Sequence, residues 1–262
     1  MQWFEREIAL ACREGVTHPQ NQPFFLAPAA ANGQAVLLVH GFAASPYEML
    51  PLGLHLQQHN FTVYGVRLPG HGTTPEDLAK RTAEEWQDCV KQGYRSLIDT
   101  GFQVSVAGLS TGALLTMVLA RHHSPERLIL LAPFLRLRHP LAPFAGLLSH
   151  LIPFQKKRIS AEEKSFYYQR RPLAGIAQIN RLIQQLRGNL DTITAPSLVL
   201  TSTGDSTIAP GTAEEIYHQL GSPDKKFHCY GDDIPHVLTT TENPQQQDVL
   251  HRCSAFLENT RQ

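Results

Sequence analysis

Gly108-Leu109-Ser110-Thr111-Gly112 follows an apolar run, Val104–Ala107, and leads directly into a second apolar run, Ala113–Ala120. The first run is typical of a strand and the second of a helix, so a G-x-S-x-G sequence lies between them. Glycine is needed at both flanking positions, because side chains there would collide with the neighbouring strand and helix. The pattern predicts a nucleophilic serine held clear of the sheet, with an ordinary strand-to-helix turn as the simpler alternative.

Length and composition set broad bounds. The chain has 262 residues with 42% hydrophobic content, enough to bury the core of one large α/β domain with an insertion. Lysine plus arginine equals aspartate plus glutamate at 23 each, which gives no electrostatic reason to expect a nucleic acid partner. We therefore expect neither a nucleic acid nor an acidic partner.

The cysteines and the N-terminus predict the compartment. The four cysteines are far apart without C-x-x-C spacing, which favours free thiols in a reducing compartment. The N-terminus carries acidic residues where a secretory signal would be basic. No apolar run approaches the roughly 20 residues needed to span a bilayer. We expect a cytoplasmic protein, either a monomer or a homodimer, without a stable membrane span.

Short apolar runs alternate with longer amphipathic ones along the chain. Strands are predicted at Gln34–His40, Phe61–Leu68, Gln103–Leu109, Arg127–Ala132, Ser197–Thr203 and Lys226–Tyr230. Helix starts are predicted at Ser45, Thr82 and Thr212, each with a glutamate three residues later, and a final helix at Pro244–Leu257. Residues 17–33 predict a loop or a short irregular strand. The fold class is α/β, with a mostly parallel central sheet flanked by helices.

One stretch breaks this alternation. From Phe134 to about Leu190 the sequence becomes helical and punctuated by proline, which predicts a cap (residues 134–190) inserted into a core of residues 1–133 and 191–262. Its apolar side chains would either line an acyl pocket or pack the cap onto the core; they are Leu135, Leu137, Leu141, Phe144, Leu147, Leu148, Leu151, Ile152 and Phe154. The basic residues Lys156–Arg158 are typical of a solvated face rather than a membrane contact.

A serine nucleophile needs a histidine base and an acid that orients it. His236 lies in a turn-rich loop between the last predicted strand and the last helix, the position of the base in this chain order. His228 and His251 fall within a strand and a helix, which favours packing or surface roles. Asp205 directly follows the strand that ends at Thr203 and lies between serine and histidine in the order Ser, Asp, His.

The remaining candidates for the site are two further acids and two backbone amides. Asp232 and Asp233 are weaker candidates for the acid, since they lie on the same loop as His236 itself. The oxyanion needs two backbone amides, which the N–H groups of Thr111 and Phe42 would supply at the ends of two strands.

Together these motifs resemble the α/β-hydrolase superfamily, and within it the bacterial carboxylesterase and monoacylglycerol lipase group. They are His40-Gly41-Phe42, Leu68-Pro69-Gly70-His71-Gly72, Gly108–Gly112, Gly204-Asp205 and His236. The resemblance implies a triad of Ser110, Asp205 and His236, oxyanion amides at Phe42 and Thr111, a cap that shapes an acyl pocket, and no metal or organic cofactor.

The resemblance implies hydrolysis of an acyl ester through an acyl-enzyme. The same triad also supports peptidase, thioesterase and carbon–carbon bond hydrolase activities, since the fold does not define the leaving group. A peptidase would need an acidic recess, for which Glu162 and Glu163 are the candidates. A protein that has kept the fold as a ligand-binding module is the remaining alternative.

Overall fold

The computed structural model describes residues 1–157, 159 and 163–258. The strands are β1 (Phe24–Leu26), β2 (Gln34–Val39), β3 (Thr62–Val66), β4 (Gln103–Leu109), β5 (Leu128–Leu131), β6 (Phe154–Lys156), β7 (Arg170–Pro172), β8 (Ser197–Ser202) and β9 (Lys225–Tyr230). The helices are α1 (Gln2–Arg13), α2 (Leu50–Gln58), α3 (Pro75–Leu78), α4 (Ala83–Asp99), α5 (Thr111–Ala120), α6 (Ala145–Leu148), α7 (Leu173–Leu186), α8 (Thr212–Gln219) and α9 (Gln246–Glu258).

The central sheet is mostly parallel. Within the described ranges its order is β1-β3-β2-β4-β5-β8-β9, and only β1 runs antiparallel to its neighbour β3. The six strands predicted from the sequence are all present, with bounds within two residues of the prediction. Because β4 is the middle strand, the turn that follows it lies at the centre of the carboxyl edge, where ligands bind in sheets of this kind.

The sheet is covered by helices on both faces. In β2, Leu37 and Val39 belong to the core cluster that includes α4, α5 and α7, while Val36 and Leu38 belong to the cluster that includes α2 and α9. All four side chains are fully buried. A strand covered on both faces favours apolar residues at most positions, which explains why β2 is a nearly continuous run of Ala, Val and Leu.

Only some of the predicted helix caps form. Thr82 makes the predicted capping box with Glu85 at the start of α4. The prediction for Thr212 was wrong, because Thr212 is the first residue of α8 and its hydroxyl accepts the N–H of Leu135 at 2.8 Å instead. Ser45 precedes a 3₁₀ turn and makes no side-chain cap bond. A local pattern cannot register the tertiary partner that competes for a hydroxyl group.

The sequence predicted a helical segment between β5 and β8, but this segment is not purely helical. Besides α6 and α7 it contains β6 and β7, which form a separate antiparallel pair. Its first residues belong to the core, since Phe134 and Leu135 are buried there and Leu137 forms a bridge with Ile208.

Several apolar side chains of this segment are not buried against the core. Five of them are exposed to solvent by 52–82%: Leu141, Phe144, Leu147, Leu151 and Ile152. Side chains exposed to this extent do not pack the segment onto the core, so that prediction was wrong for these five; that they line an acyl pocket stays a prediction. Lys156 is exposed as expected, and Arg158 lies outside the described residues. In the described part of the chain, no helix combines the length and apolar character of a bilayer-crossing segment.

Candidate active site

Ser110 occupies a strained turn between β4 and α5. Its φ is 57° and its ψ is −117°, a backbone conformation that non-glycine residues rarely adopt. The N–H of Ser110 donates to the carbonyl of Leu131 at 2.8 Å, which ties the turn to the neighbouring strand β5.

The two flanking glycines are required for the steric reason that the sequence predicts. A Cβ at Gly108 would lie 2.3 Å from the carbonyl oxygen of Gly112, and one at Gly112 would lie 2.1 Å from that of Val39. Backbone atoms on both sides cannot move away without disrupting β2 or α5. The turn therefore closes only with glycine at both positions.

The structure brings Ser110, His236 and Asp205 together. Nε2 of His236 lies 2.8 Å from Oγ of Ser110, and Nδ1 is hydrogen-bonded to Oδ2 of Asp205. Since a carboxylate can only accept, Nδ1 carries the proton and Nε2 is left free to accept the hydroxyl proton of Ser110.

The carboxylate of Asp205 is buried and held in place. It is 4% exposed, and Oδ1 accepts the N–H groups of Thr207 and Ile208 at 2.7 and 3.2 Å. Burial alone would raise the pKa of Asp205, but the hydrogen bond and charge of His236 and the two amides outweigh it and lower the pKa. Asp205 therefore stays ionised at neutral pH, as an orienting acid must.

The loops that carry Asp205 and His236 touch each other. A Cβ at Gly204 would lie 2.3 Å from the carbonyl oxygen of Asp232 and 2.6 Å from that of Ile234, so glycine allows the loops to approach. The hydroxyl of Ser202 donates to the Ile234 carbonyl at 2.9 Å. These contacts hold the imidazole against the carboxylate.

The weaker candidates lie elsewhere. The carboxylate of Asp232 accepts the hydroxyl of Thr203. His228 lies on β9 with its ring packed edge-on against Tyr230 at 4.4 Å, and His251 lies within α9. In the described part of the chain, no three His, Cys, Asp or Glu side chains are placed to hold a metal ion.

His40 fixes the peptide that presents the Phe42 amide. The N–H of Leu68 donates to Nε2 of His40 at 3.1 Å, so Nδ1 carries the ring proton and donates to the Gly41 carbonyl at 2.9 Å. In a trans peptide the N–H of Phe42 points opposite to that carbonyl. His40 thus orients the amide and holds the turn.

The two candidate oxyanion amides lie at the ends of adjacent strands. Phe42 follows β2 and Thr111 begins α5 directly after Ser110. Neither N–H donates to an acceptor among the residues that the structure describes. Thr111 is also at a helix N-terminus, where the dipole favours negative charge.

We expect the buried His40 to make stability fall in mild acid. Burial lowers the pKa of His40 from 6.5 to about 4. The unfolded chain therefore binds more protons between these pH values, so stability is fully present above pH 6.5 and is lost as the pH falls towards 4. From this group alone, the free energy of unfolding should drop by roughly 2 kcal/mol between pH 7 and pH 5.

The measurement is urea unfolding at both pH values, compared with His40→Gln, whose amide does not titrate. The variant should lose about 2 kcal/mol less than the native chain over the same interval. Equal losses in the two proteins would contradict the assignment.

The model of the alpha/beta hydrolase family matches residues 36–239, which include all the residues of this site. The chain belongs to this family.

The α/β hydrolase has curated bacterial relatives. It is 33% identical over 213 residues to a thermostable monoacylglycerol lipase of Bacillus sp. (strain H-257), with 79% of this chain and 83% of that protein covered. It is 26% identical over 226 residues to a carboxylesterase of Bacillus subtilis (strain 168), with 84% and 89% covered.

Among solved structures, the hydrolase is similar to a metagenome-derived lipolytic enzyme. The TM-score is 0.82 at 25% identity, with 92% of this chain and 99% of that chain covered. A monoacylglycerol lipase of Paleococcus ferrophilus, at 16% identity and a TM-score of 0.73, shares the fold over 90% of this chain.

One polar residue beside the site of this hydrolase was not predicted from the sequence. Glu48 is 4% exposed, and its Oε2 accepts the N–H of Gly41 at 2.8 Å. A glutamate between Tyr47 and Met49, at the start of an otherwise apolar helix, was the available signal. Three residues after Ser45, this glutamate predicts only a helix start.

Proposed function

We propose that this α/β hydrolase cleaves short- to medium-chain acyl esters or monoacylglycerols through an acyl-enzyme on Ser110. His236 would act as general base and acid, Asp205 as its orienting acid, and the amides of Phe42 and Thr111 as oxyanion donors. Carboxylic ester hydrolysis is also the activity named for both curated relatives.

The hydrogen-bonded chain from Ser110 through His236 to Asp205 carries this proposal. Its members are 126 and 31 residues apart in sequence, yet each lies within hydrogen-bond distance of the next. Such an arrangement has one evident chemical use, the activation of a hydroxyl that is a poor nucleophile at neutral pH.

The reaction would proceed in two stages. In the first, Nε2 of His236 takes the hydroxyl proton as Oγ of Ser110 attacks the ester carbonyl, and the two amides receive the developing negative charge. The carbon–oxygen bond to the alcohol then breaks, and the alkoxide takes the proton from Nε2. In the second, His236 deprotonates a water molecule that attacks the acyl-enzyme, which releases the acid and restores Ser110.

Residues 134–190 would form the cap over this edge of the sheet. Two contacts of its later part support this role. Gly175 of α7 lies directly against Phe42, since a Cβ there would be 2.4 Å from the Phe42 ring. The N–H of Tyr168 donates to the carbonyl of Ala43 at 3.0 Å. An apolar acyl chain would lie between this segment and the strand ends.

A panel of esters tests the substrate class. We expect p-nitrophenyl esters and glycerol monoesters to be hydrolysed best with short to medium acyl chains, with kcat/KM falling for palmitate. The matched p-nitroanilides should react at least about 100-fold more slowly, a barrier difference of roughly 2.7 kcal/mol, because an amine is the poorer leaving group.

Anilide turnover equal to ester turnover would favour the peptidase alternative, and faster cleavage of thioesters would favour a thioesterase. The candidates for the acidic recess of a peptidase are Glu162 and Glu163. Glu162 lies outside the described residues, and the side chain of Glu163 is not described.

A further inference from the structure

Glu48 is a buried carboxylate for which the proposed reaction has no use. Burial raises its pKa, and four neighbours oppose that effect: the Gly41 amide, His236, Lys157 and the Tyr167 hydroxyl. A buried acid is costly unless its oxygens are paired, so a side chain held in this way is expected to serve the arrangement around it.

The carboxylate holds one side of the oxyanion turn. It accepts the Gly41 N–H at 2.8 Å, while the Gly41 carbonyl on the other side accepts from His40. Both peptides of Gly41 are therefore fixed, and with them the direction of the Phe42 amide. The turn is also tightly packed, since a Cβ at Gly41 would lie 3.0 Å from the Glu48 carboxylate and 3.5 Å from Cβ of Ser110.

The same residue contacts the loop that carries the base. The backbone carbonyl of Glu48 accepts the hydroxyl of Thr239 at 2.5 Å, and Thr239 is three residues beyond His236. Thr239 is fully buried. Glu48 therefore joins the oxyanion turn to the histidine loop.

The third contact of Glu48 is with the segment proposed as the cap. The hydroxyl of Tyr167 interacts with the carboxylate and favours its charged form, and the guanidinium of Arg171 on β7 is attracted to it. Nε of Arg171 is itself buried without a hydrogen bond to any described residue; burial lowers the pKa of Arg171, and the charge of Glu48 opposes that effect.

We propose that Glu48 is a positioning residue that orients the Phe42 amide and makes this orientation depend on the contact with Tyr167. The inference rests on the proposed function, because it takes the Phe42 amide as an oxyanion donor. Glu48 would act through the Gly41 peptide rather than on the substrate itself. Its effect should therefore appear in kcat rather than in KM.

The first test compares Glu48→Ala with Glu48→Gln on p-nitrophenyl acetate, an ester too short to depend on an acyl pocket. Losing one oxyanion donor costs about 100- to 1000-fold in kcat, and a misaligned amide should cost part of this, roughly 30-fold or more in Glu48→Ala. KM should change by less than about threefold. Glu48→Gln keeps an oxygen for the Gly41 N–H and should recover most of kcat.

The second test is a double-mutant cycle between Glu48 and Tyr167. Tyr167→Phe should lower kcat in the native background. It should have no further effect in the Glu48→Ala background, because each change removes the same interaction between the Tyr167 hydroxyl and the Glu48 carboxylate. Tyr168→Phe is the matched control, since that hydroxyl donates to the Gly70 carbonyl at 2.9 Å and accepts the N–H of Thr73 at 2.7 Å. Its effect on kcat should be the same with and without Glu48.

Several outcomes would overturn this inference. One is a native kcat in Glu48→Ala, another is loss through KM alone, and a third is additive effects of the Glu48 and Tyr167 changes. If Glu48→Ala does not fold, Tyr167→Phe and Tyr168→Phe decide the matter, because the former should lower kcat more than the latter does and equal effects would overturn the inference. Fluorophosphonate labelling separates the two proposals: an unlabelled Ser110 in the native protein refutes the proposed function, whereas equal labelling rates in native protein and Glu48→Ala refute only the role of Glu48.

Discussion

Replacing Ser110 by alanine is expected to lower kcat for p-nitrophenyl butyrate by roughly 10⁴- to 10⁶-fold, the range found when a triad nucleophile is removed. The reason is that Oγ of Ser110 forms the covalent bond, and no other hydroxyl in the described residues hydrogen-bonds to His236. KM should change little, since the hydroxyl group of Ser110 contributes little to binding of the substrate before the reaction begins.

The fold of Ser110→Ala should be retained. Alanine takes the same backbone conformation at comparable cost, and only one hydrogen bond is lost, so the free energy of unfolding should change by about 1 kcal/mol or less. Thermal unfolding, followed by circular dichroism, checks this. A fluorophosphonate probe should add one adduct to the native protein and none to the variant.

Ser254 offers a matched control, because it is a second serine paired with a histidine. Its Oγ lies 2.9 Å from Nε2 of His55 on the α2 and α9 side of the sheet, and it is 1% exposed. It has neither the strained turn nor an aspartate behind the imidazole among the described residues. Ser254→Ala should keep native turnover.

Full activity in Ser110→Ala, or a probe adduct on another residue, would remove Ser110 as nucleophile. A folded native protein that the probe does not label would instead support the ligand-binding alternative.

Replacing His236 by alanine should lower kcat by a similar factor, roughly 10⁴-fold or more, because serine and histidine act as a unit. Without the imidazole, the hydroxyl of Ser110 has no acceptor for its proton and the leaving alcohol has no donor. The exposed fraction of the His236 side chain is 14%, so the vacated space opens towards the site and the fold should tolerate the change.

His228→Ala is the control for this experiment. His228 is partly buried on β9 and packs against Tyr230, so its removal should cost some stability and leave kcat within about twofold of the native value. Steady-state kinetics over a pH range measures both variants. A larger loss of kcat in His228→Ala than in His236→Ala would reassign the base.

Much of the fold follows from local sequence. The strands β2 to β5 and β8 are buried on both faces, so most of their positions carry an apolar residue and the pattern is easily recognised. The antiparallel edge strand β1 is different, because it is three residues long and half-buried. Its sequence predicted only a loop or an irregular strand.

The segment between β5 and β8 was the least predictable part. Its apolar residues predict burial, yet Leu147 and Leu151 are 74% and 82% exposed. Exposed apolar groups grouped together are typical of surfaces that meet another molecule, and sequence periodicity does not separate such a surface from a core. The β6 and β7 pair was missed because three-residue strands carry too little pattern.

The sequence by itself determined the features that depend on neighbours along the chain. These are the turn around Ser110 with its two glycines, the alternation of strands and helices, and the order of serine, aspartate and histidine. Each depends on local sterics or on burial, which leave a mark in consecutive residues.

Only the tertiary structure decided which groups meet across the fold. The 2.8 Å contact between Ser110 and His236 depends on parallel strands that bring distant loops to one edge of the sheet. The contact of Glu48 with Gly41, and its interaction with Tyr167, depend on the packing of a turn beneath a separate segment. Hydrogen bonds between residues far apart in sequence leave no local pattern, so these partners become visible only when the chain is folded.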